Sequence, residues 1–455
     1  MYIVILGAGE VGSSIATNLV SENNDITIVD INPHKLEKLQ ARLDIQTVCG
    51  GASYPDVLQN AGIQEADMLI AVTNSDEINM TACQIAYTLF KTPIKVARIR
   101  SSHYTSPQLF SNHHIPVDVR INPEYLVTNR LIRLIDFPGA EDILDFKNGA
   151  VLLASIKFHA QHPLVDSTID NIKGQIEDLN AFAVLLYRQK TVHPITEDFI
   201  IKANDQIYFL SHPQVLQQIF TRIHSNHEPN HRIIIGGGGH IGGKLARHLE
   251  SRYQVKIIER NMEQAKTLAN TLKHTFVLEG DIADSELLIE ENIQETDVFC
   301  AVTNEDEANI MSCLQAKYLG VKQTIALINR KTFVPLIEDS PIDHAISPEL
   351  ITVGNILTKV RKGHMLQVHR IKNTPSEIIE LVLVNKEEHA NLIGKRLGEL
   401  QLPISCHIVG IIRQNKLIYP QPKTQFLKND HVIILIINQN HLEILEELLQ
   451  HPITR

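Results

Sequence analysis

Tyr2-Ile-Val-Ile-Leu-Gly-Ala-Gly-Glu-Val-Gly12 opens the chain, and Arg232-Ile-Ile-Ile-Gly-Gly-Gly-Gly-His-Ile-Gly242 repeats it, with Gly7, Gly9 and Gly12 standing again at Gly237, Gly239 and Gly242. In each copy a β-branched run leads into a glycine turn and then an amphipathic stretch. That order is the strand, turn and helix of a dinucleotide-binding unit. The first glycine permits the tight turn, the second lets backbone approach a pyrophosphate, and the third lets the helix pack on the sheet. The helix start adds free N–H groups and partial positive charge for phosphate.

The repeat extends well beyond the glycines. Asp67-Met-Leu-Ile-Ala-Val-Thr-Asn-Ser-Asp-Glu-Ile-Asn79 returns as Asp297-Val-Phe-Cys-Ala-Val-Thr-Asn-Glu-Asp-Glu-Ala-Asn309, and Ile121-Asn-Pro-Glu124 is echoed by Ile346-Ser-Pro-Glu349. Two copies of one ancestral unit are fused. Within the first copy, strands are expected at 2–6, 25–29, 45–48, 68–72 and 95–99 with amphipathic helices between them, the rhythm of a doubly wound parallel sheet. After residue 136 the pattern changes to strands at 150–156, 182–187 and 206–210, matched in the second half at 378–384, 407–412 and 431–437. The expected fold is therefore α/β, with two Rossmann-like doubly wound parallel-sheet domains at 1–136 and 230–362. Each is followed by a small α+β module, at 137–225 and 363–455, and the polar segment 225–231 joins the halves.

This frame selects the site residues. Gly7, Ala8, Gly9, Glu10, Val11 and Gly12 form one phosphate loop, and Gly237, Gly238, Gly239, His240, Ile241 and Gly242 form the other. Asp30 and Glu259 end the next strands, at about the 20-residue distance where a carboxylate accepts hydrogen bonds from ribose hydroxyls; a carboxylate there repels a 2′-phosphate and favours NAD(H). Arg260 either stacks on an adenine or weakens that preference, or is a solvated surface residue. Thr73, Asn74 and Thr303 lie at the carboxyl edge past the fourth strand, where Thr73 and Thr303 are expected to face ligand and the acids after them to cap a helix. Arg98 can reach phosphate where the second half has Leu327, and Asp281 stands where the first half has Ala52. The two sites are expected to differ.

Composition closes off several classes. A length of 455 residues with 44% hydrophobic and 21% charged residues describes several folded domains, with no run of about 20 apolar residues for a membrane span. The N-terminus reads as a strand, with no basic leader. The net charge of −10 speaks against nucleic acid as a partner. Five cysteines without a CxxC pair fit reduced, mostly buried thiols, and the scattered histidines have no metal-ligand spacing.

Gly7 to Gly12, Asp30, Ala71-Val-Thr-Asn74, Ala97-Arg-Ile-Arg100, Gly237 to Gly242 and Ile258-Glu-Arg260 together resemble the TrkA family, the peripheral NAD(H)-binding components of bacterial Trk potassium-uptake systems, built from tandem RCK/KTN domains. The resemblance covers essentially the whole chain. It implies a non-enzymatic regulatory subunit, peripheral on the cytoplasmic face of the inner membrane. Its partner is a membrane-embedded Trk-type potassium transporter subunit, and the chain is implied to assemble as a homo-oligomer, a dimer or a tetramer. The resemblance also implies NAD(H) as cofactor, with ATP and ADP left open beside it, and small modules that pack against neighbouring subunits. The competing readings are an NAD-dependent oxidoreductase, which needs a proton-transfer residue in a substrate pocket that does not stand out here, and a free-standing nucleotide sensor.

Overall fold

The structure is a computed structural model that describes residues 1–20, 24–104, 106–110, 114–176, 178–196, 199–223, 230–337, 340–360, 365–372, 374–384 and 392–438. Most of the linker expected at 225–231, the module limits at 225 and 363, and the C-terminal end to 455 lie outside the described residues.

The first sheet is built from β1 (Tyr2–Leu6), β2 (Asp25–Asp30), β3 (Gln46–Cys49), β4 (Met68–Ala71), β5 (Ile94–Arg98) and β6 (Val119–Ile121), parallel throughout in the order β3-β2-β1-β4-β5-β6. Its helices are α1 (Glu10–Val20), α2 (Pro33–Gln40), α3 (Pro55–Asn60), α4 (Asp76–Ile85) and α5 (Pro123–Asp136). Ile3, Val4, Ile5 and Leu6 are all fully buried, because helices cover both faces of a parallel sheet. Helix starts are written in the sequence: Asn32 caps α2 by accepting from His34 N and Lys35 N, Asn122 caps α5 by accepting from Tyr125 N, and proline takes the first helical position in both.

The first module follows, with β7 (Ala140–Phe146), β8 (Val151–Lys157), α6 (Ile169–Ile176), β9 (Ala181–Arg188), β10 (Thr191–Pro194), β11 (Gln206–Ser211) and α7 (Pro213–Ile223). Its sheet is antiparallel, in the order β10-β9-β11-β8-β7. Where three strands are expected, five are found. The additional β7 and β10 are edge strands, and β7 carries Glu141, Asp142 and Asp145, charges that break the apolar run by which buried strands announce themselves.

The second half repeats this plan. Strands β12 (Arg232–Gly236), β13 (Gln254–Glu259), β14 (Phe276–Glu279), β15 (Val298–Ala301), β16 (Gln323–Leu327) and β17 (His344–Ile346) are parallel, in the order β14-β13-β12-β15-β16-β17. The helices α8 (His240–Leu249), α9 (Met262–Thr271), α10 (Ser285–Glu290), α11 (Asp306–Tyr318), α12 (Val334–Ile337) and α13 (Pro348–Val360) accompany them. The second module is the antiparallel sheet β18 (Met365–Arg370), β19 (Glu377–Val382), β22 (His431–Ile436), β20 (Cys406–Arg413) and β21 (Lys416–Ile418), given in spatial order.

The last helix of each parallel-sheet domain packs on the other domain. Val127, Leu131, Leu134 and Ile135 of α5 share a core with Ile233, Ile235, Leu245 and Leu249, while Val353 and Ile356 of α13 share one with Ile3, Ile15 and Leu19. At about 1.5–3 kcal/mol per buried aliphatic side chain, the four α5 residues contribute roughly 6–12 kcal/mol, an upper estimate, to a domain other than the one they follow. Polar contacts fix the register: Lys244 Nζ meets Glu124 at 2.8 Å, Arg252 meets Asp136 at 2.7 Å, and Asn230 Nδ2 donates to Ile135 O at 2.8 Å.

The two small sheets face each other within one chain. Phe146, Leu153, Leu185 and Leu210 meet Ile371, Ile378, Ile412 and Leu435, and fully buried Glu380 accepts from Lys147 N at 3.1 Å across the seam. The two modules of one chain thus pack on one another. Cys83, Cys300, Cys313 and Cys406 are buried free thiols and Cys49 is exposed. Among the described residues, no helix is long and apolar enough to cross a membrane and no cluster of metal-ligating side chains occurs.

Candidate functional site

Each glycine loop leaves the carboxyl end of the central strand, β1 or β12, beside the strand on which the sheet order reverses, where open α/β sheets hold ligands. Gly7 and Gly237 have φ of +104° and +105°, a region side chains rarely adopt. A Cβ on Gly12 would lie 1.9 Å from Gly7 O, and one on Gly242 would lie 1.9 Å from Gly237 O, so the third glycine of each loop is a packing requirement. The second glycine differs. A Cβ on Gly9 or Gly239 would meet nothing within 4 Å, and both positions are exposed at the head of α1 or α8. The chain's own packing around that Cβ position does not require glycine there.

Asp30 and Glu259 brace these loops. Asp30 accepts from Ala8 N at 2.7 Å with one oxygen and from Asn32 N at 2.8 Å with the other, and Glu259 accepts from Gly238 N at 2.6 Å and Asn261 N at 2.7 Å. A Cβ on Gly238 would lie 2.4 Å from Leu268 Cδ1 and 3.0 Å from Glu259 Oε2, whereas Ala8 stands in the same place opposite the shorter Asp30. Glu10 and His240 are exposed on the first turns, and Val11 and Ile241 are half-buried behind them.

Thr73 and Thr303, expected to face ligand, donate their hydroxyl protons inward, each to Oδ1 of Asn79 or Asn309 at 2.7 Å. Those asparagines then donate to the last carbonyl of the neighbouring strand, Arg98 O or Leu327 O, both at 2.9 Å. Asn79 and Asn309 therefore stitch the fourth strand to the fifth. The repeated Thr-Asn-x-Asp-Glu-x-Asn spacing carries that signal, and the sequence reading missed it. Ser75 caps α4 through Ile78 N and the acids lie in the first helical turns, as expected of a helix start, while Asp76 also accepts from Arg100 N and Ser101 N and Asp306 from Asn329 N and Arg330 N, closing the next loop.

Arg98 lies beside Thr73, its Nη2 donating to Thr73 O, while Nε is buried with no hydrogen-bond partner. Burial first, and then neighbouring Arg100, push its pKa down to about 10, which leaves it charged at neutral pH. Arg100, also missed as a site residue, donates to the carbonyl of Asn74. Two guanidinium groups thus donate to the carbonyls just past β4, and Arg100 Nε also lies 4.0 Å from the Asp76 carboxylate. The second site has Leu327 and Asn329 in these places. There Asp281 binds its own turn through Ala283 N at 2.9 Å, and Arg260 bridges Glu305 and Asp281. The bonds from Gly50 N to Asp30 O and from Gly280 N to Glu259 O set Asp281 opposite Gly51, a one-residue correction to the alignment with Ala52.

The TrkA-N domain family matches residues 3–123 and 233–348, and the TrkA-C domain family matches residues 381–450. The chain is 42% identical over 453 residues to the Trk system potassium uptake protein TrkA of Vibrio alginolyticus, covering 99% of each chain. It is 39% identical over 455 residues to the protein of that name from Halomonas elongata, covering 100% of each. Among solved structures it resembles the GsuK channel bound to NAD, with a TM-score of 0.62 at 18% identity over 98% of this chain and 78% of that one, a likeness of fold.

Proposed function

Because the chain belongs to the TrkA family of Trk system potassium uptake proteins, we propose that it is the nucleotide-binding regulatory subunit of such a system, controlling transport through a membrane-embedded partner and catalysing no reaction itself. The observation that carries this reading is the pair of glycines, Gly9 and Gly239, whose missing side chains serve no internal packing and leave the heads of α1 and α8 open to a pyrophosphate. Bound there, NAD(H) or an adenine nucleotide has its phosphates at the backbone N–H groups of the loop and its ribose at Asp30 or Glu259. At the first site Arg98 and Arg100 add two positive charges suited to the more anionic ligand.

Regulation follows if ligands differ in affinity for alternative arrangements of the domains, since only differential affinity moves a conformational equilibrium. A tenfold preference supplies about 1.4 kcal/mol per site. Docking on the cytoplasmic face of the membrane through the transporter, and assembly as a homo-oligomer, complete the reading. The test is potassium flux through the reconstituted transporter with wild type and Gly9→Val across NAD, NADH, ATP and ADP. Flux that responds to nucleotide in wild type and not in the variant is expected; flux indifferent to every nucleotide refutes the proposal, and sustained NADH turnover on carbonyl substrates replaces it with an oxidoreductase.

A further inference from the structure

The second nucleotide site carries an ion pair that the first lacks. Arg260 follows β13 and Glu305 follows β15, and the sheet order β14-β13-β12-β15 places β12 between them. The hydrogen bond from Arg260 Nη2 to Glu305 Oε1, at 3.0 Å, therefore passes over the carboxyl end of β12, from which the loop Gly237 to Gly242 emerges. Asp281, past the end of β14, holds the same guanidinium from the other side at 3.9 Å. A nucleotide approaching the loop meets this bridge first.

A second observation shows that Glu305 serves the bridge and not its helix. It occupies the N-cap position of α11 with no side-chain bond to the helix, whereas Ser75, in the same place before α4, accepts from Ile78 N at 3.2 Å. The first site puts Ile31 and Gly51 where the second has Arg260 and Asp281, and Ile31 is 77% exposed with nothing to span the opening.

We propose that Arg260 and Glu305 form a strap across the second site that an adenine nucleotide breaks on entry, so that this site is held partly closed at low ionic strength and released as salt rises. The inference rests on the reading that the second loop holds a nucleotide. Arg260 and Glu305 are 69% and 59% exposed at the side chain, so their attraction is screened as the Debye length falls from about 10 Å at 0.1 M salt to about 3 Å at 1 M. Exposed pairs of this kind hold a twofold to fivefold difference in an equilibrium, by order of magnitude. At the first site the sign is opposite, because salt weakens the pull of Arg98 and Arg100 on phosphate. Accumulation of potassium salt thus shifts nucleotide occupancy from the first site toward the second.

The experiment measures ADP and NADH binding by calorimetry in a Gly9→Val background, which silences the first site, at 50 and 500 mM KCl. Glu305→Ser, which installs the cap residue of the first half, is expected to bind about twofold to fivefold tighter than its parent at 50 mM, with the advantage falling below about 1.5-fold at 500 mM. Arg260→Ile, which cuts the strap from its other end, shows the same gain. Binding by Glu305→Ser where the parent shows none supports the strap more strongly still. Equal affinity at 50 mM, a gain unchanged at 500 mM, or a loss in Arg260→Ile beside an unchanged Glu305→Ser overturns the strap and leaves nucleotide binding at the second loop standing. Absence of binding in all three proteins overturns both.

Discussion

Gly9 and Gly12 lie three residues apart in one loop, yet their substitution has opposite consequences. In Gly12→Ala the new methyl falls 1.9 Å from Gly7 O, against an ordinary carbon-to-oxygen contact of about 3.3 Å, so helix and turn must separate by roughly 1.4 Å. Both partners are backbone and neither can swing aside. Overpacking costs typically about 1–3 kcal/mol, and a clash without a flexible partner belongs at or above the top of that range. For an unfolding unit of about 150–250 residues, 3 kcal/mol lowers Tm by roughly 6–12 °C. Gly9→Val sets its Cβ where no protein atom lies within 4 Å and is expected to keep stability within about 0.5 kcal/mol of wild type. It occupies the space through which phosphate reaches the backbone, and losing a single charged hydrogen bond of about 1.5–3 kcal/mol lowers affinity roughly 10- to 150-fold. Scanning fluorimetry reads the first effect, and titration with NADH and ADP reads the second. Gly12→Ala with an unchanged Tm, or Gly9→Val with wild-type affinity at the first site, refutes the assignment of packing to one glycine and binding to the other.

Leu131→Ala on α5 is expected to cost about 2–5 kcal/mol and to lower the unfolding transition of the second parallel-sheet domain, whose core Leu131 completes; destabilisation confined to the first domain in hydrogen exchange would contradict the helix exchange. Asp430, buried on β22's approach and held by Arg413 Nε at 2.8 Å and Nη2 at 2.7 Å, repeats Asp205 with Arg188, so Asp430→Ala, which leaves Arg413 its bond to Gln425 O, costs about 1.5–3 kcal/mol in urea denaturation, while a loss under 1 kcal/mol would make the pair incidental. Burial holds the imidazoles of His344 and His369 below the ordinary histidine range. The unfolded chain therefore takes up these protons first, and stability is full above pH about 6.5 and falls below it toward the lowered folded values, by up to about 1.4 kcal/mol per pH unit for each histidine. Stability flat between pH 7 and 5.5, or an unaltered decline in His344→Gln, would show that these groups do not set it.

The glycine loops and the four-part order were legible because each depends on local geometry. A positive φ, a helix pressed on a turn and a strand covered on both faces each leave a residue-level mark. The destination of α5 left none: its apolar stripe says that one face is buried and is silent on which sheet buries it, and Val127, Leu131 and Leu134 would read the same against either domain. Edge strands such as β7 were missed because their charges hide the alternation. Thr73 and Thr303 were placed correctly at the edge of the site, yet their hydroxyls turn inward, since Asn79 and Asn309 offer an acceptor within the same turn. The repeat preserves the asparagines in both halves, and only the structure shows what they join.

The helix exchange also bears on how two unequal sites act together. Arg98, which feels the carboxylate of Glu124, donates to Thr73 O past the end of β4, and Glu124 stands in the first turn of α5. Glu124 in turn holds Lys244 on α8, the helix whose head is the proposed phosphate seat of the second site. A ligand that draws Arg98 from the carbonyl of Thr73 changes the field on Glu124, and a shift of α5 is transmitted to α8 because Leu131 and Leu245 share one packed core that cannot deform gradually. No matching charge relay runs the other way among the described residues, for Leu327 replaces Arg98 in the second half. The first site, rich in cations, is built to report a polyanion, and the second, strapped by Arg260, to answer with an affinity that the surrounding salt adjusts.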